Sequence, residues 1–315
     1  ETMLWRAGRM DEYNGAGYTA RRRVALRVAL IAAQTPTQPE RRARTVFIVV
    51  DVIRATTTLC VMCERGCLRI YVARTVEAAR AVRPAMPDVA LLGGEAGGLT
   101  PAGFDLGNSP VEWAAQQLAG RPVLFSSTNG ARALHACRGG GPIFGGSIRN
   151  ASAVAAAAVD AVAELAVAAV GRRDDELDDD DISDGAPSIA IVCSGKGDQP
   201  AYDDTLCAAI IARAILRLSA TTADDPQRVA VIPDESARIA LATLDQYEAL
   251  VERGVYGSLG DALATSGAAR AITSVGLGAD VALCADLDVT DVVPLVTSYD
   301  TERDLLLIAP MTDDT

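Results

Sequence analysis

Histidine, lysine and aromatic residues are scarce in this sequence. The 315 residues include one histidine, one lysine (Lys196) and only 4% aromatic residues. The formal net charge of −12 argues against nucleic acid or an anionic membrane surface as a partner. No stretch reaches the roughly 18 consecutive apolar residues that would indicate a membrane span. These absences favour a water-soluble protein whose core is built from Ala, Val, Leu and Ile.

Disulfide and nucleotide-binding signatures are also missing. Seven cysteines, an odd number without a framework spacing, indicate buried free thiols in a reducing cytoplasm. Cys60, Cys63 and Cys67 would share one helix face, but a metal site there lacks further ligands, so packing is the favoured interpretation. No glycine-rich run ends in Lys-Ser/Thr, and no GxGxxG follows the first strand, which disfavours a P-loop and a dinucleotide site.

The most informative stretch runs from Val46 to Thr58. Five consecutive apolar residues, Val46 to Val50, predict a strand buried on both faces, as in a parallel sheet covered by helices. Such a strand delivers the next residues to the carboxyl edge of the sheet, where α/β proteins bind ligands. The residues delivered here are a carboxylate (Asp51), a cation (Arg54) and three threonines, which together suit an oxyanion.

The same pattern of strand, polar loop and helix recurs along the chain. It predicts a three-layer α/β/α fold with a largely parallel or mixed sheet and Rossmann-like units. A strand over Val24–Ile31 is favoured over a twin-arginine signal. A last strand over Val289–Val296 is expected to close the sheet or to pair at an edge, where Pro294 is tolerable. Ser109 and Pro110 are expected to start a helix as N-cap and first residue.

Domain organisation is predicted from composition. Residues 1–20 carry little pattern and are expected to form a disordered tail. Residues 21–315 are expected to form one α/β catalytic domain, with the alternative of two lobes that meet near residue 185. Asp174–Asp184 contains eight acids, so residues 171–187 are expected to form a solvated, mobile insertion.

Polar side chains at successive strand ends point to a hard cation and a phosphate. Carboxylates with few basic neighbours suit Mg²⁺ that is held partly by protein and partly by substrate phosphate. Asp51, Glu95, Asp203 and Asp204 form the candidate set. Each residue alone has a structural alternative as a cap, turn or salt-bridge residue. His135, in the helix after Asn129-Gly130, is expected to be a packing residue and not a catalytic base.

Five motifs together resemble the 2-phosphosulfolactate phosphatase family of coenzyme M biosynthesis. They are DVIRATTT, GGEAGGLTPAGFDLGNSP, SSTNGARAL, GSIRNASAVA and DDTLCAAII, in order across residues 24–300. The resemblance implies an α/β/α fold and an Mg²⁺-dependent phosphatase that converts 2-phospho-3-sulfolactate to 3-sulfolactate and phosphate. Family members often carry arginine where this chain has Ala96, and the acidic insertion is not a family feature.

The motif residues are assigned candidate roles on this basis. Asp51, Glu95 and Asp204 are the candidate catalytic residues, and Asp51, Glu95, Asp203 and Asp204 are the candidate Mg²⁺ ligands. Substrate and phosphate are expected to contact the polar residues of the loops: Arg54, Thr57, Thr58, Asn108, Ser127, Thr128, Asn129, Gly130, Arg132, Ser147 and Asn150.

Alternatives to this assignment stay open. Asp51 could act as a nucleophile, although no second acid follows two residues later. The protein could instead bind a phosphorylated metabolite without turnover, or hydrolyse a different three-carbon phospho-acid. The expected partner is a small anionic phosphorylated substrate, with no nucleic acid and no membrane, and a homodimer is one expectation for assembly.

Overall fold

The computed structural model describes residues 22–169, 186–197, 199–221 and 229–312. Within these ranges the chain forms ten β-strands and eleven α-helices. The strands are β1 (Arg23–Ala29), β2 (Thr45–Val50), β3 (Ile70–Ala73), β4 (Leu91–Gly94), β5 (Val123–Ser126), β6 (Ile143–Gly146), β7 (Ser188–Cys193), β8 (Ala230–Pro233), β9 (Pro294–Asp300) and β10 (Leu305–Pro310). The α-helices are α1 (Pro39–Ala43), α2 (Ala55–Glu64), α3 (Val76–Val82), α4 (Pro110–Ala114), α5 (Gly130–Cys137), α6 (Ala151–Ala168), α7 (Tyr202–Thr221), α8 (Glu235–Glu252), α9 (Leu259–Ala264), α10 (Gly267–Ser274) and α11 (Ala279–Cys284).

All ten strands belong to one sheet in the order β4-β5-β3-β10-β9-β6-β2-β7-β1-β8. Five strands, β6-β2-β7-β1-β8, run parallel to one another, and so do β4, β5 and β3. The antiparallel pair β9 and β10 joins these two runs. The fold is therefore mixed α/β with a mostly parallel sheet and helices on both faces, and the predicted three-layer class is confirmed.

Strand β2 is buried on both faces, as its unbroken apolar sequence predicts. Val46, Ile48 and Val50 pack into the core beneath α6, α7 and α8. Phe47 and Val49 face the opposite core, which α2 and α5 share with β3, β5 and β10. Both parallel runs therefore contribute side chains to this second core, and packing against α2 and α5 helps to hold the two runs together.

The strand directions and the pocket lining together imply that the sheet bends at the β9–β10 pair. The strands of one parallel run are antiparallel to the strands of the other, because three antiparallel pairings lie between the runs. Even so, loops at the carboxyl ends of β2, β4, β5 and β7 line one pocket. A flat sheet would place these ends at opposite edges. A bulge between Leu307 and Ile308 bends the joining strands, and β9 meets β6 at a single residue pair, Phe144 with Leu295.

Several predicted elements agree with the structure. Strand β1 (Arg23–Ala29) occupies the range predicted near Val24–Ile31. Ser109 caps α4 by accepting a hydrogen bond from the backbone of Glu112, with Pro110 as first helical residue. All seven cysteines are free and buried, as expected.

The C-terminal part of the chain differs from the prediction. The last predicted strand, Val289–Val296, is replaced by β9 and β10, and β9 lies inside the sheet, not at its edge. Pro294 is tolerated there because it is the first residue of β9 and faces Pro310 at the end of β10. Strand β8 and helix α11 were not predicted, because four and six residues are too few for a periodic pattern.

The tail at residues 1–20 and the acidic segment at 171–187 lie largely outside the described residues, so those two predictions stay predictions, as does the domain count. Within the described part, the helical stretch Ile148–Ala168 is long and apolar enough to cross a membrane by length and composition alone. It contains α6, which packs on β2, β6, β7 and α7. A core helix of a soluble protein shows these same features.

Strand β10 connects the two runs, so its buried side chains are expected to support both. Leu306 is fully buried in the core shared by the two runs. Leu306→Ala is expected to lower the free energy of unfolding by about 2–5 kcal/mol, the usual cost of removing a buried leucine side chain. Denaturant unfolding monitored by circular dichroism measures this.

The matched control is Leu307→Ala on the opposite face of the same strand, where the side chain is only partly buried. Leu307→Ala is expected to lower the free energy of unfolding clearly less than Leu306→Ala does. Equal losses for the two variants would contradict the placement of Leu306 in the core that the two runs share.

Candidate active site

One pocket collects the loops at the carboxyl ends of β2, β4, β5 and β7, and α10 covers it. Its volume is about 440 Å³. One side is polar and acidic, and another is formed by small and apolar residues. The lining residues include Asp51, Ile53, Arg54, Glu95, Gly98, Asn108, Thr128, Asn129, Arg132, Ser194, Lys196, Tyr202, Asp203, Asp204, Ala268, Ala271 and Ile272.

Asp51 is fixed at the end of β2 by the start of α2. Its backbone N–H lies 3.0 Å from Thr56 Oγ1, and its Oδ1 accepts a bond of 3.3 Å from the Ala55 backbone N–H. Gly130 packs so closely that a Cβ there would lie 2.6 Å from Asp51 Oδ2. The missing side chain at position 130 thus allows the β5–α5 loop to approach this carboxylate.

Asp203 and Asp204 open helix α7 and are both buried, although their surroundings differ. Asp204 accepts hydrogen bonds from the Val52 N–H (2.9 Å), the Ser194 hydroxyl (3.0 Å) and the Gly195 N–H (3.0 Å). It therefore ties the end of β2 to the end of β7. Asp203 Oδ1 is buried and has no hydrogen-bond partner in the described part of the chain.

Burial and mutual repulsion disfavour the ionised forms of these aspartates. Desolvation, and then the charge of Asp204, raise the pKa of Asp51 to about 7. Desolvation and the charge of Asp203 raise the pKa of Asp204 to about 7. Desolvation and the charge of Asp51 raise the pKa of Asp203 to about 6. A bond from its own backbone N–H and the charge of Lys196 act in the opposite direction. The three side chains thus form one electrostatically connected group.

Glu95 connects two loops, the one after β4 that contains Gly98 and the one after β5 that contains Thr128. Its Oε1 accepts a bond of 2.6 Å from the Thr128 N–H, and its Oε2 accepts one of 2.7 Å from the Gly98 N–H. Both carboxylate oxygens are therefore engaged with backbone. Gly94, just before it, has a φ of +147° and approaches Ser126 so closely that a side chain would clash with the Ser126 carbonyl.

Arg54 lines the pocket and forms a buried ion pair with Asp280. Its Nη1 lies 2.9 Å from Asp280 Oδ2, and its Nη2 donates a bond of 2.7 Å to the Gly98 carbonyl. The two charged side chains are 2% and 1% exposed, so solvent barely screens the pair. The Ser109 hydroxyl donates to the other oxygen of Asp280 at 2.6 Å. Helix α11 is thereby fastened to the loops beside the pocket.

Comparison with known proteins identifies the family. A family model described as 2-phosphosulpholactate phosphatase matches residues 31–298. The chain belongs to the 2-phosphosulfolactate phosphatase family.

Relatives named probable 2-phosphosulfolactate phosphatase occur in several bacteria. The Deinococcus radiodurans protein is 36% identical over 263 residues, covering 83% of this chain and 92% of the relative. The Thermus thermophilus protein is 35% identical over 272 residues, covering 86% and 94%. The Symbiobacterium thermophilum protein is 31% identical over 259 residues, covering 82% and 94%. The match extends over nearly the whole of each relative.

Most of the residues expected from the 2-phosphosulfolactate phosphatase motifs meet at this pocket. Those that line it are Asp51, Arg54, Glu95, Asn108, Thr128, Asn129, Arg132, Asp203 and Asp204. Gly130 does not line it but packs against Asp51. Their joint placement makes this pocket the candidate active site.

Besides Gly130, five predicted phosphate-binding residues do not line the pocket, and each has a structural role. The Thr57 hydroxyl donates to the Val52 carbonyl, and the Thr58 hydroxyl donates to the Asn108 carbonyl. Ser127 caps the Ala131 N–H of α5. Ser147 and Asn150 bond to each other at the start of α6, and both are fully buried. Helix starts select the same hydroxyl and amide side chains as phosphate sites do, so the sequence pattern does not separate the two roles.

The sequence-based assignment missed Asp280, Ser194, Lys196 and Tyr202. Asp280 comes from a short helix far along the chain, and its role depends on Arg54, which lies 226 residues earlier. The other three line the pocket. Lys196 was the most accessible signal, since it is the chain's only lysine and lies in a glycine-flanked loop directly after a buried strand. His135 packs at the Val72 carbonyl, 3.0 Å away, as a structural residue.

The aspartate group predicts how stability depends on pH in metal-free protein. Carboxyls whose pKa values are raised to about 6–7 from the usual 3.8 hold more protons when folded than when unfolded. Their contribution to stability is complete below about pH 4 and is lost as pH rises toward 7. The melting temperature measured in EDTA is therefore expected to fall between pH 5 and pH 8.

Asp51→Asn removes one of the mutually repelling charges and is expected to flatten this fall. Asp88→Asn, at an exposed position outside the pocket, is the control. It is expected to leave the fall in melting temperature between pH 5 and pH 8 unchanged. A melting temperature that rises over the same interval in wild-type protein would contradict the description of the group.

The Arg54–Asp280 pair predicts a large effect of losing one partner. Asp280→Asn leaves the Arg54 cation buried without its counter-ion, which typically costs about 3–5 kcal/mol in free energy of unfolding. A double-mutant cycle with Arg54→Met is expected to show a coupling of more than about 1 kcal/mol, because the double variant buries no unpaired charge. Denaturant unfolding of the four proteins measures it, and additive losses would show that the ion pair is not formed.

Proposed function

We propose that this protein is a cytoplasmic, Mg²⁺-dependent phosphatase that hydrolyses a small three-carbon phospho-acid, 2-phospho-3-sulfolactate being the substrate named for its relatives. The observation that carries the proposal is the buried aspartate group, which faces a pocket large enough for such a substrate. Four carboxylates in the lining would repel a phosphate dianion unless a cation lay between them. The family relationship supports phosphate-ester hydrolysis as the reaction.

The residues fit a hard divalent cation. Asp203 Oδ1 is buried without a hydrogen-bond partner among the described residues, and the backbone bond that Asp51 accepts is long, at 3.3 Å. These two side chains are the ones best placed to hold Mg²⁺. Asp204 and Glu95 are committed to backbone and hydroxyl donors, so they are better suited to positioning the loops.

No group of three His, Cys, Asp or Glu side chains in the described residues forms a metal site by itself. That agrees with Mg²⁺, which usually takes one or two carboxylates and completes its shell with water and substrate phosphate. When bound there, Mg²⁺ would neutralise charge on the transferring phosphoryl group and lower the pKa of a coordinated water.

The protein's own side chains can then serve the hydrolysis. Water oxygen attacks phosphorus while one of its protons passes to a carboxylate, the bond from phosphorus to the ester oxygen breaks, and the departing alkoxide takes up a proton from solvent. Asp51 is the candidate to accept the proton of the water, because burial raises its pKa to about 7 in the metal-free protein, close to the pH at which a general base must work. The Asn129–Gly130 turn at the start of α5 presents backbone N–H groups of the kind that bind phosphate, and Lys196 adds a cation in the lining.

Turnover and metal dependence are tested together. Phosphate release from 2-phospho-3-sulfolactate is expected with Mg²⁺ or Mn²⁺ and is expected to stop in EDTA. Asp51→Asn is expected to lower kcat by about 10²-fold or more, because the amide keeps the size but loses charge and basicity. Its melting temperature is expected to stay at or above that of wild type, since a buried charge is removed.

Asp88→Asn serves as the matched control and is expected to retain wild-type kcat. Activity that survives EDTA, or that requires Zn²⁺, would contradict the proposal. Tight binding of the substrate without phosphate release would favour the alternative of a non-catalytic binding protein. Release from 2-phosphoglycerate but not from the sulfonate would keep the phosphatase and change the substrate.

A further inference from the structure

A second, smaller pocket adjoins the candidate active site. It has a volume of about 170 Å³ and is lined by Ala32, Ala33, Arg74, Asn129, Arg132, Ala136, Ser194 and Gly197. Four of these residues, Asn129, Arg132, Ser194 and Gly197, also line the main pocket. We call this smaller space the side pocket. It is a lateral extension of the active site and not a separate surface feature.

Two arginines supply the charge of the side pocket. Arg74 directly follows β3, which runs parallel to β5, so it reaches the same edge of the sheet as the loop that contains Asn129. Arg132 lies in the first turn of α5, and Ala136, one turn later, completes that wall. The topology therefore brings the two guanidinium groups to one small space from different elements.

Neither guanidinium has an acid partner or a hydrogen bond among the residues that the structure describes. Other arginines nearby are satisfied: Arg54 pairs with Asp280, Arg138 pairs with Asp304, and Arg42 donates to backbone carbonyls. Both side chains are exposed, so solvent screens their mutual repulsion. The side pocket is thus a site where two cations without a partner among the described residues would attract one anion.

The two pockets differ in their acids, although Arg132 lines both and Arg54 and Lys196 also line the main one. The main pocket contains Asp51, Glu95, Asp203 and Asp204, whereas the residues that line the side pocket include no acid. An anionic group at the far end of a substrate would be repelled by the aspartates and attracted to the arginines. Arg54 is poorly placed to replace them because its Nη1 and Nη2 donate to Asp280 and the Gly98 carbonyl.

We propose that the side pocket binds the non-transferred oxyanion of the substrate, a sulfonate or carboxylate, through Arg74 and Arg132. This rests on the proposed function and adds to it the feature that selects the substrate. Phosphate would lie at the aspartate group, and the second anion would extend past Asn129 and Gly197, whose bond of 3.4 Å links the two loops at the junction. Arginine suits this role because its planar fork can bind two oxygens at once.

The kinetic test compares three phosphate esters that differ in the rest of the molecule. They are 2-phospho-3-sulfolactate, 2-phospholactate, which keeps only the carboxylate, and glycerol 2-phosphate, which has no second anion. Arg74→Ala is expected to lower kcat/KM by about 10–100-fold for the esters that carry the group bound in the side pocket. This is the usual range for a lost charged hydrogen bond, and the loss is expected mainly in KM. The loss for glycerol 2-phosphate is expected to be at least tenfold smaller.

The pattern of losses identifies the occupant. A loss confined to the sulfonate ester assigns the side pocket to sulfonate, and an equal loss for both acids assigns it to carboxylate. Arg74→Lys is expected to recover part of the loss, since it restores the charge but not the fork. Arg121→Ala removes an exposed arginine outside both pockets and is the control for net charge. Equal losses on all three esters would overturn the proposal.

A binding measurement separates this proposal from the phosphatase proposal. Calorimetric titration with 3-sulfolactate needs no turnover, and Arg74→Ala is expected to weaken its Kd by about tenfold or more while Arg121→Ala leaves it unchanged. If no ester is hydrolysed but this difference appears, the side pocket stands and the phosphatase proposal fails. If esters are hydrolysed and the Kd is the same in all variants, the side pocket is wrongly assigned.

Discussion

Three aspartate side chains buried at one edge of a sheet are the constraint on which this structure depends. Desolvation and mutual repulsion oppose their ionisation, so the fold must supply donors or accept protons. Asp204 is satisfied by three donors from the ends of β2 and β7. It therefore fixes the distance between the two loops that carry Asp51 and Lys196. Asp203 receives no such support on Oδ1, which leaves one buried oxygen that an external cation could satisfy.

The curvature of the sheet is the second requirement, because it brings loops from both parallel runs to these aspartates. Glu95 bonds to Thr128 and Gly98, and Arg54 bonds to Gly98 and Asp280. These contacts connect α2, the glycine-rich loops and α11 in a continuous chain. A buried ion pair is a costly device for stability alone. Here it holds a C-terminal helix against loops that the first half of the chain supplies.

The sequence predicts local features well and long-range partners poorly. The buried strand before Asp51 and the cap at Ser109 follow from apolar runs and helix-start residues, and both are found. Ser147 and Asn150 show the limit, since a capping pair and a phosphate-binding pair use the same residue types. Arg74 and Asp280 could not be predicted at all. Their significance arises from a pocket and an ion pair that only the folded chain assembles, across 226 residues in the second case.

The charge distribution also bears on whether the protein binds or hydrolyses its ligand. A protein that only retained a phosphorylated metabolite would be expected to surround the phosphate with cations and N–H donors. This pocket contains four carboxylates beside the loop that would receive phosphate, in addition to Arg54, Arg132 and Lys196. The carboxylates weaken metal-free binding of a phosphate. Carboxylates are useful there if they hold a cation and accept a proton during the reaction. The acids are thus better explained by the demands of a transition state than by those of a bound ground state.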